Sequence, residues 1–314
     1  MNNLSYHLSE TINTNLSEIE DLRKKILTTP ISPRQELFLR WEANINKAYW
    51  GLTLADNPLS KTQMSKILSN PLPKKLKDSE KEVISYMQTL SHIREHWTGS
   101  NKLIPTKDVL NIYDLSCKSV FGSTTAYYKS KEELVAKILT FIESGKEHPV
   151  IQAGLLQIEI IKLSPFENGT GRVARLLSHL ILSKYGYDLR GLLVMEDYYR
   201  EDLMSLKEAT KSIETRKNAT IWLEYFTTGI KKGMIKTLDS LSKQNTVFDK
   251  KVKLSNRQKI IFEKLENPNI KITNKEVCKL FSISQITASR DLSKMVNLGI
   301  LLPHGKGRST YYTK

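Results

Sequence analysis

The segment from Ser164 to Arg175, SPFENGTGRVAR, holds the residue types best suited to chemistry in this sequence. Gly169 and Gly171 allow backbone conformations in which consecutive N–H groups point into one concave surface. The apolar pattern that follows predicts a helix over residues 171–185, whose unpaired N–H groups and positive dipole end face the same place. The segment therefore predicts a turn that binds phosphate groups.

Two arginines at the start of this predicted helix, Arg172 and Arg175, are three residues apart and share a helix face. Two guanidinium groups beside a nest of N–H groups suit a di- or triphosphate better than a lone carboxylate. The alternative is a glycine-containing turn with two surface arginines, and the pattern alone does not decide between them.

The rest of the chain up to about residue 244 has apolar residues at helical spacing, which predicts a mainly α fold. A break occurs where two prolines, Pro30 and Pro33, interrupt the first helical pattern. Residues 69–78 read as a loop, and the Gly/Ser/Thr-rich residues 121–130 as a loop or short hairpin. Helices are predicted over residues 4–28, 34–51, 79–97, 107–120, 131–144, 149–163, 171–185, 197–214 and 218–244.

The phosphate-binding turn resembles the signature of the Fic family, His-Pro-Phe-x-Asp/Glu-Gly-Asn-Gly-Arg-x-x-Arg. Residues 148–163 and 197–230 are similar to the helices that flank that signature, and the resemblance extends over roughly residues 35–240. It implies a helical domain that transfers AMP from ATP-Mg to a hydroxyl of a target protein. This chain matches the signature at six positions: Pro165, Phe166, Gly169, Gly171, Arg172 and Arg175. The resemblance also implies that nucleotide is bound by Phe166, Asn168, Gly169, Thr170, Gly171, Arg172 and Arg175.

Three departures from the signature concern the chemistry itself. Ser164 stands at the position of the catalytic histidine, and a serine hydroxyl cannot act as a general base near neutral pH. Loss of a positioned base costs a factor of about 10²–10⁴ in rate. Asn168 replaces the acidic metal ligand, and a neutral amide is a weaker magnesium ligand than a carboxylate. Thr170 replaces an asparagine but can still donate a hydrogen bond, so the pattern predicts phosphate binding with impaired AMP transfer, without a metal site.

A further departure concerns regulation in the family. Residues 42–51 are similar to an inhibitory helix of the form Ser/Thr-x-x-x-Glu-Gly, in which the glutamate pairs with the second signature arginine. Trp50 stands where that glutamate would be, so the ion pair with Arg175 is not expected to form. We expect Trp50 either to pack in the core or to line the pocket.

The C-terminal residues carry most of the excess charge of the chain. Residues 250–314 hold fourteen lysines and arginines and four acidic residues, a net charge of +10 within a total of +15. This asymmetry predicts a polyanionic partner for the C-terminal part, the alternative being a solvated basic surface.

The same region shows the pattern of a winged helix-turn-helix. Helices are predicted over residues 256–266, 273–281 and 284–298, followed by two strands around a Gly-rich turn. Short polar groups at the start of the last helix are typical of a recognition helix, and basic residues in the turn are typical of a wing. The DNA-contacting residues predicted in this way are Ser284, Gln285, Thr287, Ser289, Arg290, Lys306 and Arg308. The alternative is an interaction or dimerisation module that does not contact DNA.

Taken together, the patterns predict a mainly α chain: a Fic-like helical domain followed by a small α+β winged helix-turn-helix domain. Residues 1–33 would form an N-terminal helix and linker, residues 34–244 the Fic-like domain, and residues 245–314 the winged helix. The N-terminus lacks a signal pattern and no apolar run is long enough to span a bilayer, so a cytoplasmic protein without a membrane partner is expected.

Two functions from different classes remain open on the sequence. The first is a regulatory protein that binds ATP or another nucleotide and adjusts DNA binding, and the substitutions at the signature favour it. The second is an active Fic-type protein adenylyltransferase with an unusual site. A target protein and a homodimer are compatible with both functions.

Overall fold

The computed structural model describes residues 5–69, 75–144, 147–242, 254–265, 270–298, 300–305 and 307–313. The buried apolar residues fall into a larger cluster that extends from Ile12 to Leu241 and a smaller one built mainly from residues after 260. The helices around the larger cluster are α1 (Glu10–Thr28), α2 (Pro33–Thr53), α3 (Lys61–Ser69), α4 (Asp78–Trp97), α5 (Thr106–Ser116), α6 (Lys118–Phe121), α7 (Thr125–Glu143), α8 (Pro149–Leu163), α9 (Thr170–Lys184), α10 (Glu196–Glu201), α11 (Leu203–Arg216) and α12 (Thr220–Ser242).

Helices α8 and α9 form an antiparallel pair at the centre of the larger cluster. Helix α8 begins with Pro149 at its first position, where the missing proline N–H has no intrahelical partner to lose, and His148 caps it by accepting from the Val150 N–H. Nearly every residue of α8 is buried because the helix is apolar all round, and α9 is almost as deeply buried. The central pair therefore fixes the position of the turn that connects it.

The N-terminal helix belongs to the same core. Three isoleucines of α1, Ile12, Ile19 and Ile26, recur every seven residues and are buried against α12. Such spacing places one apolar stripe on one helix face. Helix α1 begins at Ser9, whose hydroxyl accepts from the Ile12 N–H, so the helix starts later than the sequence pattern predicts.

The smaller cluster is built by α13 (Asn256–Lys264), β1 (Ile272–Thr273), α14 (Asn274–Phe281), α15 (Gln285–Asn297), β2 (Leu302–His304), a 3₁₀ turn (Gly307–Ser309) and β3 (Tyr311–Thr313). The three strands form an antiparallel sheet in the order β1-β3-β2, in which Tyr312 lies opposite both Ile272 and Pro303. The two predicted strands are present as β2 and β3. Strand β1, which precedes α14, is an addition to the prediction.

Helix α2 is in contact with both clusters. Leu37 is part of the smaller cluster, and Trp41, one turn further along α2, packs against both. The far end of α2 lies beside the turn between α8 and α9, as described below. One rigid helix therefore connects the C-terminal part to that turn.

Several predicted elements differ from those observed. Residues 121–130 were expected to form a loop or hairpin, but α7 begins at Thr125 because Tyr128 is pulled into the core. The predicted helix 107–120 breaks at Cys117, and the predicted helix 197–214 divides at Asp202, which caps α11. Helix α3 was not predicted. Across the described ranges, no helix combines the length and apolar character needed to cross a membrane.

Candidate functional site

The turn between α8 and α9 is shaped by two residues in the left-handed region. Ser164, which follows the last residue of α8, has a φ of 47°, and Gly169, which precedes α9, has a φ of 78°. A Cβ atom added to Gly169 would lie 2.7 Å from the Sγ atom of Cys117. Glycine is therefore required at 169 both by its backbone conformation and by the close approach of α5.

The turn is anchored through Pro165 and Phe166, which are buried. The Phe166 ring is stacked between Tyr113 and Tyr128, with centroid distances of 4.8 and 5.4 Å. Thr170 Oγ1 donates to the Phe166 carbonyl at 3.1 Å. The Phe166 side chain, predicted to bind nucleotide, thus lies in the core at 1% exposure, and only its backbone borders the turn.

The outer side of the turn is open to an anion. Ser164 and Asn168 are exposed, and Gly169, Thr170 and Gly171 are half-buried. Gly169 is the N-cap of α9 and has no side chain to accept from the first N–H groups of that helix. These N–H groups and the positive end of the helix dipole therefore face the exposed side of the turn, as the sequence predicts.

Arg172 does not take part in this open surface. Its guanidinium is 2% exposed and donates to Glu82 at 2.6 Å and to the Ser116 carbonyl at 3.2 Å. The Glu82 carboxylate neutralises the charge of Arg172, and both of its terminal nitrogens donate within the protein. Phosphate binding by Arg172 together with Arg175 stays a prediction; in this structure helix α4 supplies Arg172 with a partner, Glu82, that the local sequence does not reveal.

Arg175 remains as the cation of the turn. It is half-buried, its Nη2 atom donates to the Gly51 carbonyl at 2.8 Å, and its Nε atom has no hydrogen-bond partner within the described part of the chain. A neutral carbonyl satisfies one donor of the guanidinium but leaves its charge uncompensated. The end of α2 therefore touches Arg175 through its backbone, without the carboxylate found in inhibitory helices of the resembling family.

Trp50 lies on the other side of this contact. It lines a cavity of about 340 Å³ between α2 and α12, together with Glu42, Asn46 and Lys236. The next residue, Gly51, approaches Tyr86 so closely that an added Cβ would lie 2.9 Å from its hydroxyl oxygen. The glycine at 51 thus lets the end of α2 reach Arg175. The cavity that Trp50 lines includes no residue of the turn, so the expectation that Trp50 lines the nucleotide pocket stays a prediction.

The catalytic groups expected from the signature are absent from the turn. The Ser164 hydroxyl is hydrogen-bonded to Thr170 Oγ1 at 3.5 Å, and in the described residues no histidine or carboxylate contacts it. No group of three or more His, Cys, Asp and Glu side chains in the described residues is arranged to hold a metal ion. Among the described residues, the turn therefore presents the first N–H groups of α9 and the Arg175 guanidinium, and the Ser164 hydroxyl contacts a neutral hydroxyl.

A buried hydrogen-bond network connects α9, the helix that carries Arg175, to α4 and α10. Glu196 at the start of α10 is fully buried and lies 2.5 Å from His179 Nε2 on α9, while the Tyr86 hydroxyl of α4 donates to the same carboxylate at 3.3 Å. These contacts tie α9 to α4 and α10 one turn beyond Arg175. Neither Glu196 nor Glu82 was identified from the sequence; the available signal is a carboxylate beside apolar residues, within a predicted helix for Glu82 and directly before one for Glu196.

The Glu196 network makes the stability of the protein sensitive to acid. Burial alone would raise the pKa of the Glu196 carboxyl, but the adjacent His179 outweighs it and lowers the pKa from 4.5 to about 2. Because the folded pKa is the lower one, the stabilisation is complete above pH 4.5 and is lost as the pH falls to about 2. We expect urea unfolding to show a loss of about 3 kcal/mol across this window, reduced in Glu196→Gln. Equal pH dependence in the two proteins would contradict this assignment.

Five of the predicted DNA-contacting residues lie together at the start of α15 or at its cap. Ser284 caps α15 and accepts from the Thr287 N–H, Gln285, Ser289 and Arg290 are exposed, and Thr287 is half-buried. The exposed residues line a groove of about 1280 Å³ that is bordered by the 3₁₀ turn and β3. Lys306 lies outside the described residues, and of Arg308 only the backbone, within the 3₁₀ turn, is described.

Comparison with known proteins agrees with this architecture. Residues 73–182 match the family model of the Fic/DOC family. The chain therefore contains a Fic/DOC family domain, which includes α4 to α8, the phosphate-binding turn and nearly all of α9. No functionally curated protein matches the sequence.

Solved structures show the same fold at low sequence identity. A Fic family protein from Desulfovibrio desulfuricans G20 is 16% identical with a TM-score of 0.66, over 98% of this chain and 97% of that one. Fic-1 from C. elegans is 18% identical with a TM-score of 0.60, over 73% of this chain and 71% of that one. A Fic domain containing signaling protein from Bacteroides thetaiotaomicron VPI-5482 is 17% identical with a TM-score of 0.55, over 76% of this chain and 100% of that one.

Proposed function

We propose that the chain is a regulatory Fic-domain protein that binds a nucleotide or another phosphate ligand at residues 164–175. The open N-terminal end of α9 supplies backbone N–H groups, and Arg175 supplies a positive charge whose contact among the described residues is the neutral Gly51 carbonyl. These groups fit phosphate oxygens. They fit a magnesium ion less well, because Asn168 replaces the acidic ligand and a neutral amide is a weaker magnesium ligand than a carboxylate.

We further propose that ligand binding is coupled to the C-terminal part through α2. The observation that carries this proposal is that α2 contacts both the C-terminal core and Arg175. Leu37 and Trp41 of α2 pack in the C-terminal core, and Gly51 at its other end accepts from Arg175. The ten residues from Trp41 to Gly51 span about 15 Å of helix, which moves as a rigid rod. A phosphate that draws the Arg175 guanidinium away from the Gly51 carbonyl removes one contact at that end of α2.

The C-terminal part fits a winged helix that binds DNA. Helices α13, α14 and α15 precede a small antiparallel sheet, and the polar start of α15 is exposed beside the turn between β2 and β3. The net charge of +10 over residues 250–314 favours a polyanion. DNA binding by α15 and the adjacent turn would account for the helix arrangement, the exposed polar residues and the positive charge together.

Impaired AMP transfer is the second element of the proposal. The family's reaction needs a base that takes the proton of the target hydroxyl, and the partner of the Ser164 hydroxyl in the described part of the chain is the neutral Thr170 hydroxyl. A bound nucleoside triphosphate would supply the transferable phosphoryl group, but this chain supplies only groups that hold and orient it. Because residues 73–182 match the Fic/DOC family, active protein adenylylation is the competing function.

One experiment tests binding and coupling together. Thermal unfolding is followed with and without ATP or ADP, and fluorescence anisotropy measures duplex DNA binding under the same conditions, for wild type, Arg175→Ala and Arg290→Ala. We expect nucleotide to stabilise wild type and to change its Kd for DNA by a factor of about 5 or more. Arg175→Ala loses both effects but still binds DNA. Arg290→Ala keeps the nucleotide stabilisation and binds DNA more weakly.

Distinct outcomes would contradict each part. Equal thermal shifts in wild type and Arg175→Ala would remove the turn as the binding site. Nucleotide binding that leaves the Kd for DNA unchanged would exclude coupling through α2. Transfer of label from ATP to protein by the wild type at the rate of active relatives would favour the adenylyltransferase function instead.

A further inference from the structure

The exposed face of α15 carries an apolar residue in the first turn of the helix. Ile286 is 67% exposed, whereas the inward residues Ala288, Leu292 and Met295 are fully buried. Its neighbours on the exposed side are Gln285, Ser289, Arg290 and Ser293. A branched aliphatic side chain left in water at this place is not needed by the core of the C-terminal part, and it gains free energy only by contact with an apolar group outside.

The groove around Ile286 has the charge of a polyanion-binding surface. Lys275, Arg290 and Lys294 line it, and no aspartate or glutamate does in the described residues. Two nearby acids are engaged elsewhere. Asp291 turns inward to Arg257 at 2.9 Å and to Gln258 at 2.8 Å, and Glu276 accepts from the Thr273 N–H at 2.7 Å. Charge complementarity therefore favours nucleic acid, which is a polyanion, over a protein surface with few acidic residues as the occupant of this groove.

Within the major groove of DNA, the apolar group accessible to an isoleucine is the C5-methyl of thymine. Gln285 precedes Ile286 and Arg290 follows one turn later, so the same face carries groups that pair with adenine and guanine edges. We propose that Ile286 contacts a thymine methyl and makes the chain selective for a thymine at one position of its site. This inference rests on the DNA-binding function proposed above.

The test removes the methyl group from the DNA and the side chain from the protein in turn. A high-affinity duplex is selected from a random library with the full chain, and each thymine is replaced singly by deoxyuridine, which lacks only the methyl. Anisotropy at fixed salt gives the Kd of every duplex. We expect one replacement to weaken wild-type binding about fourfold, the effect of one buried methyl group.

The matching protein variants locate that effect. Ile286→Ala is expected to bind the thymine and deoxyuridine duplexes equally, and its unfolding transition should match wild type because the side chain is exposed. Leu280→Ala is the control, since Leu280 is 44% exposed in the same part of the chain but does not line the groove. It should keep the fourfold difference.

Each other outcome overturns the inference in a distinguishable way. Salt-dependent binding without sensitivity to any deoxyuridine contradicts the Ile286 contact but leaves DNA binding in place. Absence of binding, or binding that salt does not weaken, contradicts the proposed function itself. If Ile286→Ala instead converts a dimer to a monomer in light scattering without changing thymine selectivity, the residue belongs to a protein interface.

Discussion

Replacing Glu82 with alanine is expected to lower the free energy of unfolding by about 3–5 kcal/mol, because it leaves the Arg172 charge buried without its partner. Arg172 is 2% exposed, and the Glu82 carboxylate 2.6 Å away is its one acidic contact in the described structure. The Arg172 Nε atom has no hydrogen-bond partner in the described residues, so the loss of Glu82 would leave a second donor of the same guanidinium unsatisfied. Urea unfolding followed by circular dichroism measures the change.

Two further variants show that the effect comes from an uncompensated charge. Arg172→Met in the Glu82→Ala background removes the orphaned charge and should recover a large part of the loss, since an apolar pair can replace a buried ion pair at little cost. Lys81→Ala breaks the exposed pair with Asp78 and should change stability by less than about 1 kcal/mol. A Glu82→Ala protein as stable as the Lys81→Ala protein would refute the ion pair's role.

Restoring the signature residues is expected to raise AMP transfer by about 10²–10⁴ over wild type. The variant combines Ser164→His, Asn168→Asp and Thr170→Asn. Ser164 is exposed and has a φ of 47°, a conformation that histidine adopts more readily than most residues, so the imidazole can be accommodated and can accept the proton of a target hydroxyl. Asn168→Asp places a carboxylate beside the turn, which gives magnesium a ligand.

The measurement is transfer of radiolabel from ATP to protein in a lysate with magnesium. Adding Arg175→Ala to the triple variant should abolish the gain, because the phosphate-binding cation is then missing. Arg290→Ala in the same background should leave the gain intact, because Arg290 lies in the C-terminal groove. A triple variant no more active than wild type would show that the turn cannot present a nucleotide to a base, and would contradict the binding site.

The contrast between Arg172 and Arg175 shows where sequence patterns stop being informative. Both were predicted to bind phosphate because they share a helix face beside an N–H nest. Their partners, Glu82 and the Gly51 carbonyl, lie 90 and 124 positions away in the chain. Local spacing places the two guanidinium groups correctly, but which of them stays available depends on helices that arrive from elsewhere.

Phe166 illustrates the same limit for an apolar residue. The signature assigns it to the nucleotide site, whereas its ring is stacked between Tyr113 of α5 and Tyr128 of α7. Burial of Tyr128 also explains why α7 begins at Thr125, within a segment whose Gly, Ser and Thr content predicts a loop. Here tertiary packing outweighs local propensity, which is a weak determinant of structure.

The sequence by itself determined the elements that local physics controls. Glycines at 169 and 171 predict the turn, the apolar pattern predicts α8 and α9 almost to the residue, and the charge distribution marks the C-terminal part as basic. Backbone conformation, helix periodicity and net charge each depend on residues close in sequence. The tertiary structure alone decided that Arg172 is neutralised, that α2 meets Arg175 through a carbonyl, and that Glu196 lies buried beneath the site. These three features depend on contacts between helices that are distant in sequence. A side chain becomes buried, or an ion pair forms, only when both partners are packed together.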